Sequence, residues 1–255
     1  MKRITCLAIL FAMTMGISAQ TQTQVKMQIW KNGKPTNYVV STEIDSITFL
    51  EETITPKTVK GTKIWPIVLD GTSVDANASK IVADFRPDDV GRFLYIWENT
   101  YVANYNPTAL NFHGNNEGYV SLTVAAPAGW SGLGFCLGET SAAAAESLRQ
   151  AIVANPDKYF LHLAMKATTP GNHQFYTFND AVTSFAVGTA TIEAGAVIGD
   201  FTRDGSWAEF DVPMANFAAA LANLTFPTGG NIFCALSGGA TGSQLNLDAV
   251  YFYEK

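Results

Sequence analysis

From residue 62 onward, apolar and polar residues alternate in short runs punctuated by Gly, Pro, Asn and Asp, the pattern of strands with one buried face. In 160–166, Leu161, Leu163 and Met165 fall on one side and Phe160, His162, Ala164 and Lys166 on the other. Runs of this kind predict strands over 63–69, 79–86, 92–98, 118–124, 132–137, 160–166, 183–190, 207–213, 231–237 and 244–253. Residues 141–154 break the rhythm: Ser141 is placed to cap a helix in which Ala145, Leu148 and Ile152 recur at helical spacing before Asn155-Pro156. A second helical turn is expected after Pro213, with Phe217, Leu221 and Leu224 on one side. So few helices cannot alternate with strands as a parallel α/β fold requires. The chain reads as mainly all-β: an antiparallel jelly-roll β-sandwich with one or two short inserted helices.

Ahead of this domain, 27–49 reads as a strand, a turn at Lys31-Asn32-Gly33-Lys34, a second strand over 37–41 and a short third element over 44–49. Asn-Gly between apolar runs is a strong hairpin signal, and so small a β-hairpin unit holds no core of its own. The expected organisation is an N-terminal hairpin segment over 20–52, a linker over 53–61 and the sandwich over 62–255. Residues 1–19 have the layout of an export signal: Lys2 and Arg3, an apolar stretch too short to span a bilayer, and small residues before Gln20. Cys6 precedes the apolar stretch, so it is not the acylated cysteine of a lipoprotein. The expected location is outside the cell or at its surface, with no membrane insertion.

Cleavage before Gln20 removes two positive charges and no acids, leaving 14 basic and 22 acidic residues, a net charge of about −8. That balance argues against nucleic acid as a partner. Charged residues are 15% of the chain and hydrophobic ones 47%, so a large core is within reach and general disorder is excluded. Cys136 and Cys234 lie in apolar strand-like runs. An oxidising compartment permits a disulfide between them, and two thiols acting as small apolar residues are the equal alternative.

Two stretches resemble known families. Met27-Gln-Ile-Trp-Lys-Asn-Gly33, with Tyr38-Val-Val-Ser41 and Glu43-Ile-Asp-Ser-Ile-Thr-Phe49, resembles a leader that follows the signal peptide in many secreted Bacteroidetes proteins. Ala83-Asp-Phe-Arg86, Gly205-Ser-Trp-Ala-Glu-Phe-Asp-Val-Pro213 and Leu245-Asn-Leu-Asp-Ala-Val-Tyr-Phe-Tyr253 resemble the galactose-binding-like β-sandwich of carbohydrate-binding modules. This second resemblance implies a structural calcium site at Asp248, with Asp84 the weaker candidate, and no required cofactor.

No catalytic motif is present. His113, His162 and His173 form no zinc-ligand spacing, Gly129-Trp-Ser-Gly-Leu133 lacks the last glycine of a nucleophile elbow, and 237–242 lacks the Lys of a phosphate loop. Glu98, Glu117 and Glu139 are the acids a glycosidase pair would draw on. Aromatic residues do stand beside amides and carboxylates over 95–117. Sugar rings stack their C–H faces on Trp and Tyr, and their hydroxyls need planar donors and acceptors. The candidate glycan contacts are Trp97, Glu98, Tyr101, Asn104, Tyr105, His113, Asn115 and Trp130. Trp97 is evenly balanced between core and surface, Tyr101, Tyr105 and His113 are expected to be exposed, and Trp130 is favoured as a platform over an edge plug. The expected function is non-catalytic carbohydrate binding. The alternatives are a structural or adhesion subunit that meets other cell-surface proteins, and a jelly-roll glycoside hydrolase or lyase.

Overall fold

The computed structural model describes residues 25–31, 34–40, 59–88, 90–103, 120–125, 129–170, 173–188, 196–238 and 240–255. The chain separates into two compact units, Met1–Thr53 and Ile54–Lys255. The first contains strands β1 (Val25–Lys31) and β2 (Lys34–Val40), paired antiparallel from Val25↔Val40 to Lys31↔Lys34. That register leaves a two-residue connection, so pairing begins at Lys34 rather than at the expected Asn37. The expected element at 44–49 and residues 1–19 lie outside the described residues.

The second unit opens with β3 (Lys63–Val68) and the short helix α1 (Gly71–Ala76). There follow β4 (Arg92–Ile96), β5 (Tyr101–Ala103), β6 (Val120–Val124), β7 (Trp130–Leu137) and helix α2 (Glu139–Ala154). Strands β8 (Tyr159–Lys166), β9 (His173–Thr177), β10 (Phe185–Val187), β11 (Ala196–Gly199) and β12 (Ala208–Pro213) precede helix α3 (Ala218–Leu221). The chain closes with β13 (Asn231–Gly238) and β14 (Gln244–Glu254). One sheet has the order β11-β10-β9-β13-β7-β4; the other runs β12-β8-β14-β6-β5, with β3 also on β14. These neighbours pair antiparallel apart from β10 with β11. The expected sandwich of jelly-roll kind is what forms.

The period-two pattern explains the core. Leu133, Phe135, Phe175, Phe185 and Phe233 face inward from one sheet and meet Leu122, Leu161, Leu163, Val250 and Phe252 from the other in one buried cluster. Phe175 stacks on Phe185 at 5.2 Å and on Phe233 at 5.4 Å, while Phe178 reaches Phe252 at 5.3 Å. Burying side chains of this size contributes roughly 1.5–3 kcal/mol each.

Two expectations need correction, and the alternative left open for the cysteines is decided. Residues 79–86 do not form a strand: they run beside β3 with only Val82 and Phe85 N–H groups bonded to Ile64 and Pro66 carbonyls. The Asp84 carboxylate then turns the chain by accepting from the Arg86 N–H at 3.0 Å. Helix α2 starts three residues earlier than the Ser141 cap implies, from Gly138, which offers no side-chain bond. Cys136 and Cys234 are free thiols; Cys234 stands opposite Gly134, so the two cysteines are diagonal across β7 and β13.

Helix α2 is tied to the rest of the domain through Glu146. Its carboxylate accepts from Arg149 at 2.6 and 2.7 Å, from Gln150 at 2.8 Å and from the Phe226 N–H at 2.9 Å. The Arg149 hydrogen bonds lead in holding the Glu146 carboxyl down at about 2. A depressed folded value means that the stabilisation is complete above the ordinary glutamate range near 4.5 and is lost as pH falls towards 2. Glu146→Gln should therefore cost on the order of 1–3 kcal/mol at pH 7. Urea unfolding at pH 7, 4 and 2.5 should show the gap between wild type and variant closing as pH falls.

Candidate functional site: an aromatic row on one outer sheet face

Strand β4 alternates Phe93 and Tyr95 outward with Leu94 inward, leaving the first two 41% and 59% exposed and Leu94 buried. Beyond it, residues 97–99 make a single 3₁₀ turn in which Glu98 and Asn99 take φ of 51° and 53°. Left-handed backbone is costly for residues with a Cβ and persists here because the flanks are anchored. The Thr100 N–H and hydroxyl both donate to the Trp97 carbonyl, at 3.0 and 2.8 Å, and the hydroxyl accepts from the Gly132 N–H at 3.1 Å. The turn is thereby pinned to β7.

That anchoring lays the Trp97 ring across β7, where the outward positions are glycines. A Cβ at Gly132 would stand 2.7 Å from Trp97 Cε3; one at Gly134 would stand 2.3 Å from Asn231 Oδ1 and 3.2 Å from Trp97 Cζ2. The two glycines form a trough that any larger residue would fill. Phe93, Tyr95, Trp97, Cys136, Gly229 and Asn231 line a depression of about 290 Å³ around the ring. Asn231 is fixed by its N–H, which donates to Asn179 Oδ1 at 3.0 Å. The Cys136 thiol donates to the Gly229 carbonyl at 3.1 Å, and burial pushes its pKa up, away from a nucleophilic thiolate.

Trp130 opens β7 on the same face as Gly132 and Gly134 and is 37% exposed. Chemically, the depression offers aromatic rings, a thiol and the Asn231 amide. A second concavity of about 450 Å³, lined by Trp65, Ala144, Ser147, Ala151 and Tyr159 among others, has both of these rings buried in its walls, so it presents small aliphatic groups.

The sequence-predicted residues divide. Trp97 lies on the outer face, half-buried, with Glu98 exposed beside it. Tyr101 is 4% exposed, contrary to the expected exposure: the chain crosses to the second sheet at the turn, and Tyr101, paired with Val124, faces the interior. Asn104, Tyr105, His113 and Asn115 lie outside the described residues, as does Glu117; Glu139 is exposed at the start of α2. Asp84 commits its carboxylate to Arg86 at 2.8 Å and Arg92 at 3.6 Å, and Asp248 is buried in β14, where it accepts from the Ala249 N–H at 2.7 Å. An aspartate neutralised by two guanidinium groups does not fit a calcium site, and no group of three or more metal-ligating side chains occurs among the described residues. Sequence reasoning missed Phe93, Tyr95 and Asn231 as contributors. For the first two the signal was present, in the β4 alternation that sets them opposite Leu94.

No protein-family model matches the sequence, and no curated protein does. Among solved structures, the chain is similar to a family 11 carbohydrate-binding module of a Clostridium thermocellum cellulase, at 10% identity and a TM-score of 0.33, over 66% of this chain and 92% of the module. It is also similar to a xylan-binding domain of Paenibacillus barcinonensis, at 8% identity and a TM-score of 0.30, over 64% and 85%. A glycoside hydrolase domain of Streptococcus pneumoniae Endo-D aligns at 12% identity and a TM-score of 0.34, over 64% of this chain but 22% of its own. Likenesses this slight fix neither ligand nor activity for this chain.

Gly132→Ala, whose Cβ would stand 2.7 Å from the ring, should lift Trp97 out of its trough, shifting tryptophan emission to the red and destabilising the domain by about 1–3 kcal/mol. The emission shift should vanish when the same substitution is made in a Trp97→Phe background.

Proposed function

We propose that the protein is an exported carbohydrate-binding protein that acts without catalysis, through the outer face of the β4–β7 sheet edge. The observation that carries this reading is the Trp97 ring, packed against Gly132 and Gly134 in a depression that Tyr95 and the Asn231 amide also line. A fixed ring offers a C–H face of a sugar a stacking partner at little entropic cost, and an amide whose backbone is anchored supplies both donor and acceptor to a hydroxyl. Among the described residues, those lining the depression are apolar or uncharged, which suits stacking and hydrogen bonding to a sugar. The charge and hydrophobicity pattern of residues 1–19 supports export.

Affinity electrophoresis against soluble polysaccharides tests the binding, with Trp97→Ala as the decisive variant. Affinity should fall at least about tenfold, equivalent to ~1.4 kcal/mol, measured well below the lowered melting temperature that loss of the ring's cover over β7 brings. Retention unaltered by Trp97→Ala refutes the assignment of this face. Export is checked separately by mass spectrometry of the mature chain, which should begin at Gln20.

A further inference from the structure

Four aromatic side chains on this face form a line rather than a cluster. Phe93 and Tyr95 stand two residues apart on β4, Trp97 continues the direction across Gly134 and Gly132, and Trp130 lies two residues beyond Gly132 on β7. The register Phe93↔Cys136 and Tyr95↔Gly134 runs the two strands side by side, so the line follows the strand axis. From Cys136 to Trp130 is six residues, on the order of 20 Å.

Across the sheet, at right angles to this line, the surface closes. Next to Gly134 is Cys234, which is buried, and beyond it Tyr176, whose hydroxyl is bonded to the Cys234 thiol and so turned towards the sheet. Leu236 rises against Trp97 at the level of Gly132. Phe93, Tyr95 and Trp130 are three of the large hydrophobic side chains left exposed among the described residues, and all three are on this line.

The line is also without charge. Among the described residues, the lining of the depression has no ionisable group besides the tyrosine and the thiol. Arg92, the nearest cation on β4, is spent on Asp88 at 2.8 Å and on the Asp84 carbonyl. Glu98 is exposed at the turn and the whole chain carries a formal charge of −6, so an anionic ligand would meet repulsion with nothing to offset it.

Resting on the carbohydrate reading above, we infer that the ligand is a linear, uncharged polysaccharide whose chain lies along the β4–β7 strand axis, with Trp97 at the centre and Phe93 and Trp130 towards its two ends. The chain is contacted along its length and its ends are not required.

Isothermal titration with gluco-, xylo- and manno-oligosaccharides of two to six units, set against oligogalacturonides, alginate oligomers and chitosan oligomers, tests this. Affinity should rise with length in a neutral series and then level off. Trp130→Ala should lower the affinity of the longest neutral oligomer by about five- to tenfold and leave the shortest within twofold, and Tyr176→Phe should change neither. Trp130 is exposed, so the variant is expected to fold, and near-ultraviolet circular dichroism checks this. Preference for a charged series overturns the inference while leaving carbohydrate binding intact. Length dependence that survives Trp130→Ala but is lost in Tyr176→Phe overturns the direction of the chain. Binding to none of the oligomers, charged or neutral, overturns the carbohydrate reading itself.

Discussion

Strand β7 drives Leu133, Phe135 and Leu137 into the interior and turns Gly132, Gly134 and Cys136 outward, and the molecule depends on both faces at once. Inward, these side chains join the shared core between the sheets, where truncating one to alanine costs roughly 2–5 kcal/mol. Outward, glycine in a strand is a liability of roughly 0.5–1 kcal/mol per residue. That loss is offset by the Trp97 ring, which settles where side chains are missing and covers the strand itself. Core and candidate site are thus two sides of one eight-residue segment.

The turn at residues 97–99 serves both as well. It carries the chain from β4 in one sheet to β5 in the other, and it delivers Trp97 back over β7. Two successive left-handed residues, Glu98 and Asn99, make the reversal sharp enough. Thr100, buried at the crossing, ties it down through the Trp97 carbonyl and the Gly132 N–H. A ring held from behind by backbone hydrogen bonds has little freedom to lose when a ligand arrives.

The outer face of the second sheet is built on the opposite principle. His162 is buried there with Nδ1 2.8 Å from Asp211 Oδ1, against the Tyr251 ring at 4.9 Å. Lys60 meets Asp211 at 2.6 Å, and its backbone N–H donates to the Tyr251 hydroxyl at 3.0 Å. Burial by itself would raise the Asp211 pKa, but the Lys60 and His162 contacts hold it below the usual carboxylate range. These charges are used within the fold, strapping the segment that leads into β3 across β14. One face spends its polar groups on structure; the other leaves apolar rings to solvent.

Period-two alternation was enough to place β4, β7, β8, β13 and β14 and to divide their residues between two faces, because a strand's side chains must alternate wherever it runs. The same rule overlooked β5 and β11, which are short enough that pairing with neighbours, not local pattern, makes them strands, and also β9, although its five residues alternate between buried and half-buried. It also misjudged 79–86, where one carboxylate turning back on its own backbone outweighs a strand-like run. Aromatic composition pointed to Trp97 and Trp130 but also to Tyr101, which faces the core because the chain changes sheets between Trp97 and Tyr101. A β-rich body and a supply of aromatic rings are local properties, and the sequence by itself determines them. Which rings stand together outside, over which glycines and beside which amide, was decided only by the pairing of β4, β7 and β13, since those contacts join residues up to more than a hundred positions apart.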